Sequence, residues 1–183
     1  MKKILLILVI GFLNLNNKTL SAERVLSHLE DGKKIIFIRH AIAPGNGDPE
    51  NFDIKDCSTQ RNLDKNGIRQ SKRIAIFFEK NKFKIDKVLS SEWCRCKDTA
   101  KIAFKNFETF DALNSFYDER FASNKDKQIK DLKNYIKNWH SDKNLVLVTH
   151  FVVISSILKT SSSSGEIIIS DKNYNILGSI NTL

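Results

Sequence analysis

Two stretches of this chain are apolar at almost every position, and each runs straight into a histidine. Ile35-Ile36-Phe37-Ile38 leads into Arg39-His40, and Leu145-Val146-Leu147-Val148 leads into Thr149-His150. A strand with one wet face alternates apolar and polar residues, so an unbroken run marks a strand covered on both faces. Such strands belong to sheets whose connecting helices lie on either side. The intervening segments supply those helices. Asn66 to Glu79 sets Ile68, Ile74, Ala75, Phe77 and Phe78 on one helical face, and Gln128 to Trp139 does the same with Ile129, Leu132, Tyr135, Ile136 and Trp139. Cys94 to Phe104 and Val152 to Leu158 complete the helices. Short strands are expected at Asp86 to Ser90 and Phe107 to Phe110, and a closing hairpin at Glu166 to Ile169 and Tyr174 to Ile180. Residues 111–125 are expected to be irregular. Strands alternating with helices imply an α/β fold, a three-layer sandwich with a mostly parallel central sheet and helices on both faces.

The first 22 residues stand apart from this pattern. Lys2 and Lys3 precede an apolar run from Ile4 to Leu13, and Leu20-Ser21-Ala22 offers a small residue for cleavage before Glu23. That is the layout of a secretory signal peptide, and the run falls short of the roughly 20 apolar residues that span a bilayer. A retained anchor or a buried helix is the competing reading. The expected organisation is therefore a leader over residues 1–22 and one domain over residues 23–183, periplasmic or secreted, with no integral membrane segment after processing. Loss of Lys2, Lys3 and Lys18 with the leader takes the formal charge from +9 to +6. A basic surplus suits acidic ligands, but the lysines lie in polar stretches without interleaved aromatics, which favours a solvated surface over a nucleic-acid partner. Of the three cysteines, Cys94 and Cys96 are too close in sequence to bridge without strain. An oxidising compartment allows one disulfide, for which Cys57–Cys94 is the preferred pair, and leaves one thiol over.

In open α/β sheets ligands bind beyond the carboxyl ends of the strands. Three strand ends here carry matching polar groups: Arg39-His40, then Ser90-Ser91 leading to Arg95, and Thr149-His150. Two imidazoles and two guanidiniums at one rim suit phosphoryl transfer. A neutral imidazole can attack phosphorus to form a covalent phosphohistidine, while arginines bind the non-bridging oxygens and offset charge repulsion. No glycine-rich phosphate loop, cofactor motif or metal-ligand cluster is read in the chain, so the expected chemistry needs neither metal nor cofactor.

These residues resemble a known family. Arg39-His40-Ala41 after a strand is similar to the arginine-histidine-glycine signature of the histidine phosphatase superfamily, which includes the cofactor-dependent phosphoglycerate mutases. Leu63-x-x-x-Gly67 resembles the segment opening that family's first long helix, and Ser90-Ser91-x-x-x-Arg95-x-x-x-Thr99-Ala100 the segment bearing its second arginine. Val146 to His150 resembles its strand and second histidine, and Gly165-Glu166 the turn before its last strand. Asp56 to Leu63 is similar to a subgroup of exported members. The resemblance implies a phosphoglycerate mutase-like fold, with His40 as nucleophile and Arg39, Arg95 and His150 completing a phosphate pocket. Arg61 and Asn46 are implied as further substrate contacts.

The sequence departs from the family at two places. Ala41 stands where glycine is usual, and a methyl group there can restrict the approach of phosphate to the backbone. The general acid expected after the third strand maps to Asp118 or Glu119, with Glu119 placed ahead, and would need a raised pKa. Without such an acid, alkyl phosphates would suffer more than aryl phosphates or phosphohistidine. The expected activity is hydrolysis of phosphomonoesters, or of phosphohistidine, through a phosphohistidine intermediate on His40, with a phosphorylated small molecule or glycan as substrate. The alternatives are a mutase-type phosphotransferase and a catalytically weak phospholigand-binding protein.

Overall fold

The computed structural model describes residues 23–183, and the expected leader lies outside the described residues. A helix, α1, occupies residues 23–31. It is followed by β1 (Ile35–Arg39), α2 (Lys65–Asn81), β2 (Ile85–Ser90), α3 (Cys94–Phe104) and β3 (Glu108–Thr109). The chain continues with α4 (Glu119–Ala122), α5 (Lys125–Asn138), β4 (Asn144–Thr149), α6 (Phe151–Leu158), β5 (Ile167–Ser170) and β6 (Ile176–Ile180). Six strands form one sheet in the order β3-β2-β4-β1-β5-β6. The pairs β3–β2, β2–β4 and β4–β1 are parallel, and β5 and β6 add antiparallel at the far edge.

The unbroken apolar runs are divided between two cores. Ile36, Ile38, Val146 and Val148 join Val25 and Leu29 of α1, Ile74 and Phe78 of α2, and Ala100 and Ala103 of α3. Their sequence neighbours Ile35, Phe37, Leu145 and Leu147 join Leu132 and Ile136 of α5 and Val153, Ile154 and Ile157 of α6. Successive side chains of a strand point to opposite faces, so a run with no polar position feeds both cores at once. Among the described residues no helix is long and apolar enough to cross a membrane.

Helix α2 begins where Asp64 caps it, its carboxylate accepting the Gly67 N–H at 2.8 Å. Gly67 lets that first turn lie against the loop that follows β1. A Cβ on Gly67 would stand 2.0 Å from the Ile42 carbonyl oxygen. Gly165 plays a similar part opposite, with φ at +69° and a Cβ position 2.3 Å from the Gln70 amide. Its N–H donates to the carbonyls of Arg39 and His40, while Gln70 accepts from the Ile42 N–H and donates to the Ser164 carbonyl. The turn after β1 is thus clamped between α2 and the approach to β5.

The segment 111–125, expected to be irregular, contains a 3-10 turn at Asp111–Leu113 and the four-residue α4. Asp118 caps α4 by accepting the Arg120 N–H at 3.0 Å. Cys57 and Cys94 form a disulfide with Cα atoms 5.7 Å apart, tying the long loop after β1 to the first residue of α3, and Cys96 stays a buried thiol.

Replacing Gly67 by alanine is expected to lower stability by about 1–2 kcal/mol, because the added methyl meets backbone, outweighing alanine's better helix propensity. Urea unfolding of the two proteins measures it.

Candidate active site

Strand β4 lies between β1 and β2, so the carboxyl ends of these three strands are neighbours. The ladder continues past them: the His40 N–H donates to the Thr149 carbonyl and the Ser91 N–H to the Val148 carbonyl, each at 2.9 Å. His40 and His150 therefore leave adjacent strands at the same height, and their ring centroids are 5.4 Å apart. A cavity of about 300 Å³ opens over them. Its wall includes Arg39, His40, Asn46, Arg61, Arg95, Asp118 and His150, seven of the residues singled out in the sequence. Glu119, the eighth, is not part of that wall. It is the exposed first residue of α4.

The nitrogen roles of His40 follow from one contact. Its Nδ1 lies 2.8 Å from the Ala41 carbonyl oxygen. A carbonyl only accepts, so Nδ1 carries the proton and Nε2 keeps the lone pair. Burial pushes the His40 pKa down to about 3, and Arg95, Arg39 and Arg61 add to the shift. The ring is neutral across the physiological range. Ala41 itself is buried, is not in the left-handed region, and donates from its N–H to the Thr99 hydroxyl oxygen at 3.0 Å. Its methyl group is accommodated without strain.

A chain of polar groups orients His150. The Asn114 amide nitrogen donates to Glu92 Oε2 at 2.7 Å, which turns its Oδ1 toward the Ser91 hydroxyl at 3.0 Å. Ser91 has one proton, and Asn114 Oδ1 takes it. His150 Nε2, 3.0 Å from the same hydroxyl, must then be a donor. Cys96 Sγ lies 3.4 Å from that nitrogen. Burial raises the Cys96 pKa to about 12, which keeps it a thiol. Burial also lowers the His150 pKa, with Arg95 the next contributor.

The arginines are held by their outer nitrogens. Arg95 donates from Nη1 and Nη2 to the two oxygens of Asp48, at 2.8 and 3.1 Å, with side chains 3% and 8% exposed. Asp48 also accepts from the Trp93 indole at 3.1 Å and from the Arg61 N–H at 3.0 Å. The Arg95 hydrogen bonds and charge hold the Asp48 carboxyl below its ordinary pKa against the opposing effect of burial, the largest single influence on it. Arg39 Nη1 donates to the Ser162 carbonyl at 2.6 Å. Arg61 donates to the Ala43 carbonyl and, at 2.9 Å, to the Gly47 carbonyl, so it braces the loop that walls the cavity. Nε of Arg39 and Nε of Arg95 are buried with no protein partner. The cavity is walled by three guanidiniums, those of Arg39, Arg61 and Arg95, and one of its two carboxylates, Asp48, is ion-paired with Arg95, so its balance favours an anion.

Neither expected carboxylic acid has the environment of a proton donor. Asp118 accepts from the Arg120 side chain at 3.0 and 2.8 Å. Those bonds, with the one from the Arg120 N–H, lower its pKa to about 2. That is the opposite of what a general acid at neutral pH requires. The cause is local, since Arg120 lies two residues away and is itself anchored on the carbonyls of Pro49 and Glu50. Asp48 and Asn114 were not singled out in the sequence. Asp48 sits in Gly45-Asn46-Gly47-Asp48-Pro49, a stretch whose turn chemistry hides its partnership with a helix residue far along the chain. Among the described residues no group of three His, Cys, Asp or Glu side chains is placed to hold a metal ion.

No protein-family model and no curated protein matches the chain. Solved structures do. The protein histidine phosphatase SixA complexed with tungstate is similar at a TM-score of 0.56 and 15% identity, over 81% of this chain and 97% of that one. A phosphoserine phosphatase variant from Entamoeba histolytica in complex with phosphoserine gives 0.58 and 20%, over 81% and 97%. Phosphoglycerate mutase from Thermus thermophilus gives 0.59 and 14%, over 81% and 98%. These are members of the histidine phosphatase superfamily, and the likeness is one of fold.

Two measurements probe the site. Asp48→Ala leaves Arg95 buried without its counter-charge and is expected to cost about 3 kcal/mol in urea unfolding. Millimolar inorganic phosphate should recover part of that loss, and more than it adds to the wild type. The second concerns acid. Between the unfolded pKa of about 6.5 and the folded value of about 3, the unfolded chain binds a proton at His40 that the folded chain does not. Stability is therefore full above pH 6.5 and declines as pH falls toward 3. The melting midpoint should drop over that window, and less steeply in His40→Asn.

Proposed function

We propose that the chain is an exported member of the histidine phosphatase superfamily, a three-layer α/β sandwich that hydrolyses phosphate monoesters through a phosphohistidine on His40. The observation that carries this reading is the meeting of His40 and His150 with the side chains of Arg39, Arg61 and Arg95 on the wall of one cavity.

In the proposed reaction the phosphate enters among Arg39, Arg95, Arg61 and His150, whose charge and N–H groups take up its non-bridging oxygens. His40 Nε2 attacks phosphorus in line, the bond to the leaving oxygen breaks, and the phosphoryl group passes to the ring. The Nδ1–H bond to Ala41 holds the ring in the attacking orientation and supports the positive charge that develops on it. Water then attacks the phosphohistidine, returning His40 and releasing inorganic phosphate. Bound phosphate favours the protonated form of His150, which can then donate from both nitrogens, to Ser91 and to the anion.

Leaving-group protonation is the step the site serves least. Asp48 is committed to Arg95, and Asp118 to Arg120. The site therefore suits phosphoryl donors whose leaving group departs as a stable anion or as a nitrogen base. The substrate is a phosphorylated small molecule with such a leaving group, met outside the cytoplasm, residues 1–22 being the proposed leader; phosphorylated glycans, whose alkoxides need a proton to depart, are expected to be slower.

A screen of aryl phosphates, phosphohistidine, sugar phosphates and nucleotides with residues 23–183 tests the proposal. Turnover is expected with excess chelator present, and His40→Ala should reduce kcat by at least about a thousandfold. Phosphorus should appear as inorganic phosphate rather than on a phosphoglycerate acceptor. The kcat/KM profile should hold from pH 7 through pH 5, without the acid limb near 6.5 of an ordinary histidine. Turnover surviving in His40→Ala would overturn the mechanism.

A further inference from the structure

The chain contains twelve phenylalanines, three tyrosines and two tryptophans. Among the described residues only two of these aromatics are exposed, Tyr117 at 49% and Phe151 at 37%. Both lie on the wall of the cavity that holds the histidines. They touch each other edge to face, with centroids 5.4 Å apart, and the Arg39 guanidinium lies 5.2 Å from the Phe151 centroid. Phe151 is fixed as the first residue of α6, directly after His150. Tyr117 is fixed by its buried neighbour Phe116 and by the bond from its N–H to the Ser115 hydroxyl at 3.3 Å. An exposed aromatic pair on a molecule that buries or half-buries its other rings is apolar surface awaiting a partner.

Direction supplies the partner. His40 and His150 are each 2% exposed and form the bottom of the cavity, whereas Tyr117 and Phe151 face solvent at its mouth. In-line displacement puts the leaving group on the side of phosphorus opposite the attacking nitrogen. With the nucleophile at the bottom, the leaving group points to the mouth, where the two rings are.

The chemistry of departure points the same way. Asp48 and Asp118, the two carboxylates on the wall, are ion-paired with Arg95 and Arg120. An aryl oxide leaves without needing a proton, and its ring is the group for which an aromatic edge and face are good partners. We infer that Tyr117 and Phe151 form a leaving-group subsite and that the substrates are aryl phosphate monoesters. This rests on the phosphatase reading of the same cavity.

Phosphonates test the subsite without any bond breaking, which separates it from leaving-group reactivity. Inhibition or direct binding of phenylphosphonate is compared with that of methylphosphonate, for the wild type, Tyr117→Ala and Phe151→Leu. The wild type should prefer the phenyl compound by about tenfold, and each substitution should cut that ratio severalfold. A ratio near one in the wild type, or one unchanged by both substitutions, overturns the subsite even if the protein is an active phosphatase. If the ratio is as expected but no phosphate ester is turned over, the subsite stands and the proposed hydrolysis fails.

Discussion

Strand β4 is paired in parallel along both edges, with β1 on one side and β2 on the other, and the pairing runs on past the last strand residues. The His40 and Ser91 N–H groups both donate to β4 carbonyls, Thr149 and Val148. Three chain segments more than a hundred residues apart at their extremes are thereby held to one level, with His40, Ser91 and His150 side by side. The ladder is in turn sealed by apolar side chains on both of its faces, so the fully apolar runs and the position of the chemistry have a common cause.

Crowding cations is the difficulty such a site must solve. Arg39, Arg61 and Arg95 share one cavity, and buried positive charges repel and lose hydration. Each is relieved differently. Arg95 receives a full counter-charge from Asp48, while Arg39 and Arg61 are bound by backbone carbonyl oxygens, partial charges that offset part of the cost. The histidines contribute by staying neutral. The outcome is a cavity still rich in positive charge, holding in His40 an imidazole whose lone pair burial and the same charges protect from protons.

Much of this was legible in the sequence, and the reasons differ by residue. The runs at residues 35–38 and 145–148 announce doubly covered strands, and the polar residues that end them mark the rim. Arg95 was legible because it follows closely on the strand end at Ser90-Ser91, near the start of the next helix. Gly67 and Gly165 belong to recognisable motifs, and the structure explains them as points where a side chain would strike Ile42 or Gln70. What stayed hidden depends on contacts between distant loops or between near neighbours. Asp48 acts on Arg95, 47 residues away, and nothing in a turn-rich loop advertises that. Asp118 was expected as an acid from its position, but Arg120 makes it a firm carboxylate. Helix α1 was not read from the sequence, although Val25 and Leu29, one turn apart, both reach the core.

The disulfide between Cys57 and Cys94 has an effect on what variation the fold can tolerate. The loop leaving β1 is fastened at one end by the sheet and at the other by a covalent link to α3, immediately before Arg95 and shortly before Arg61 in the loop's own return. Within that span Ala43, Gly47 and Asp48 hold the guanidiniums of Arg61 and Arg95, so they are the positions the fold cannot vary freely. The covalent link confines tolerance of insertion to the stretch between Asp48 and Cys57, where added length displaces neither arginine.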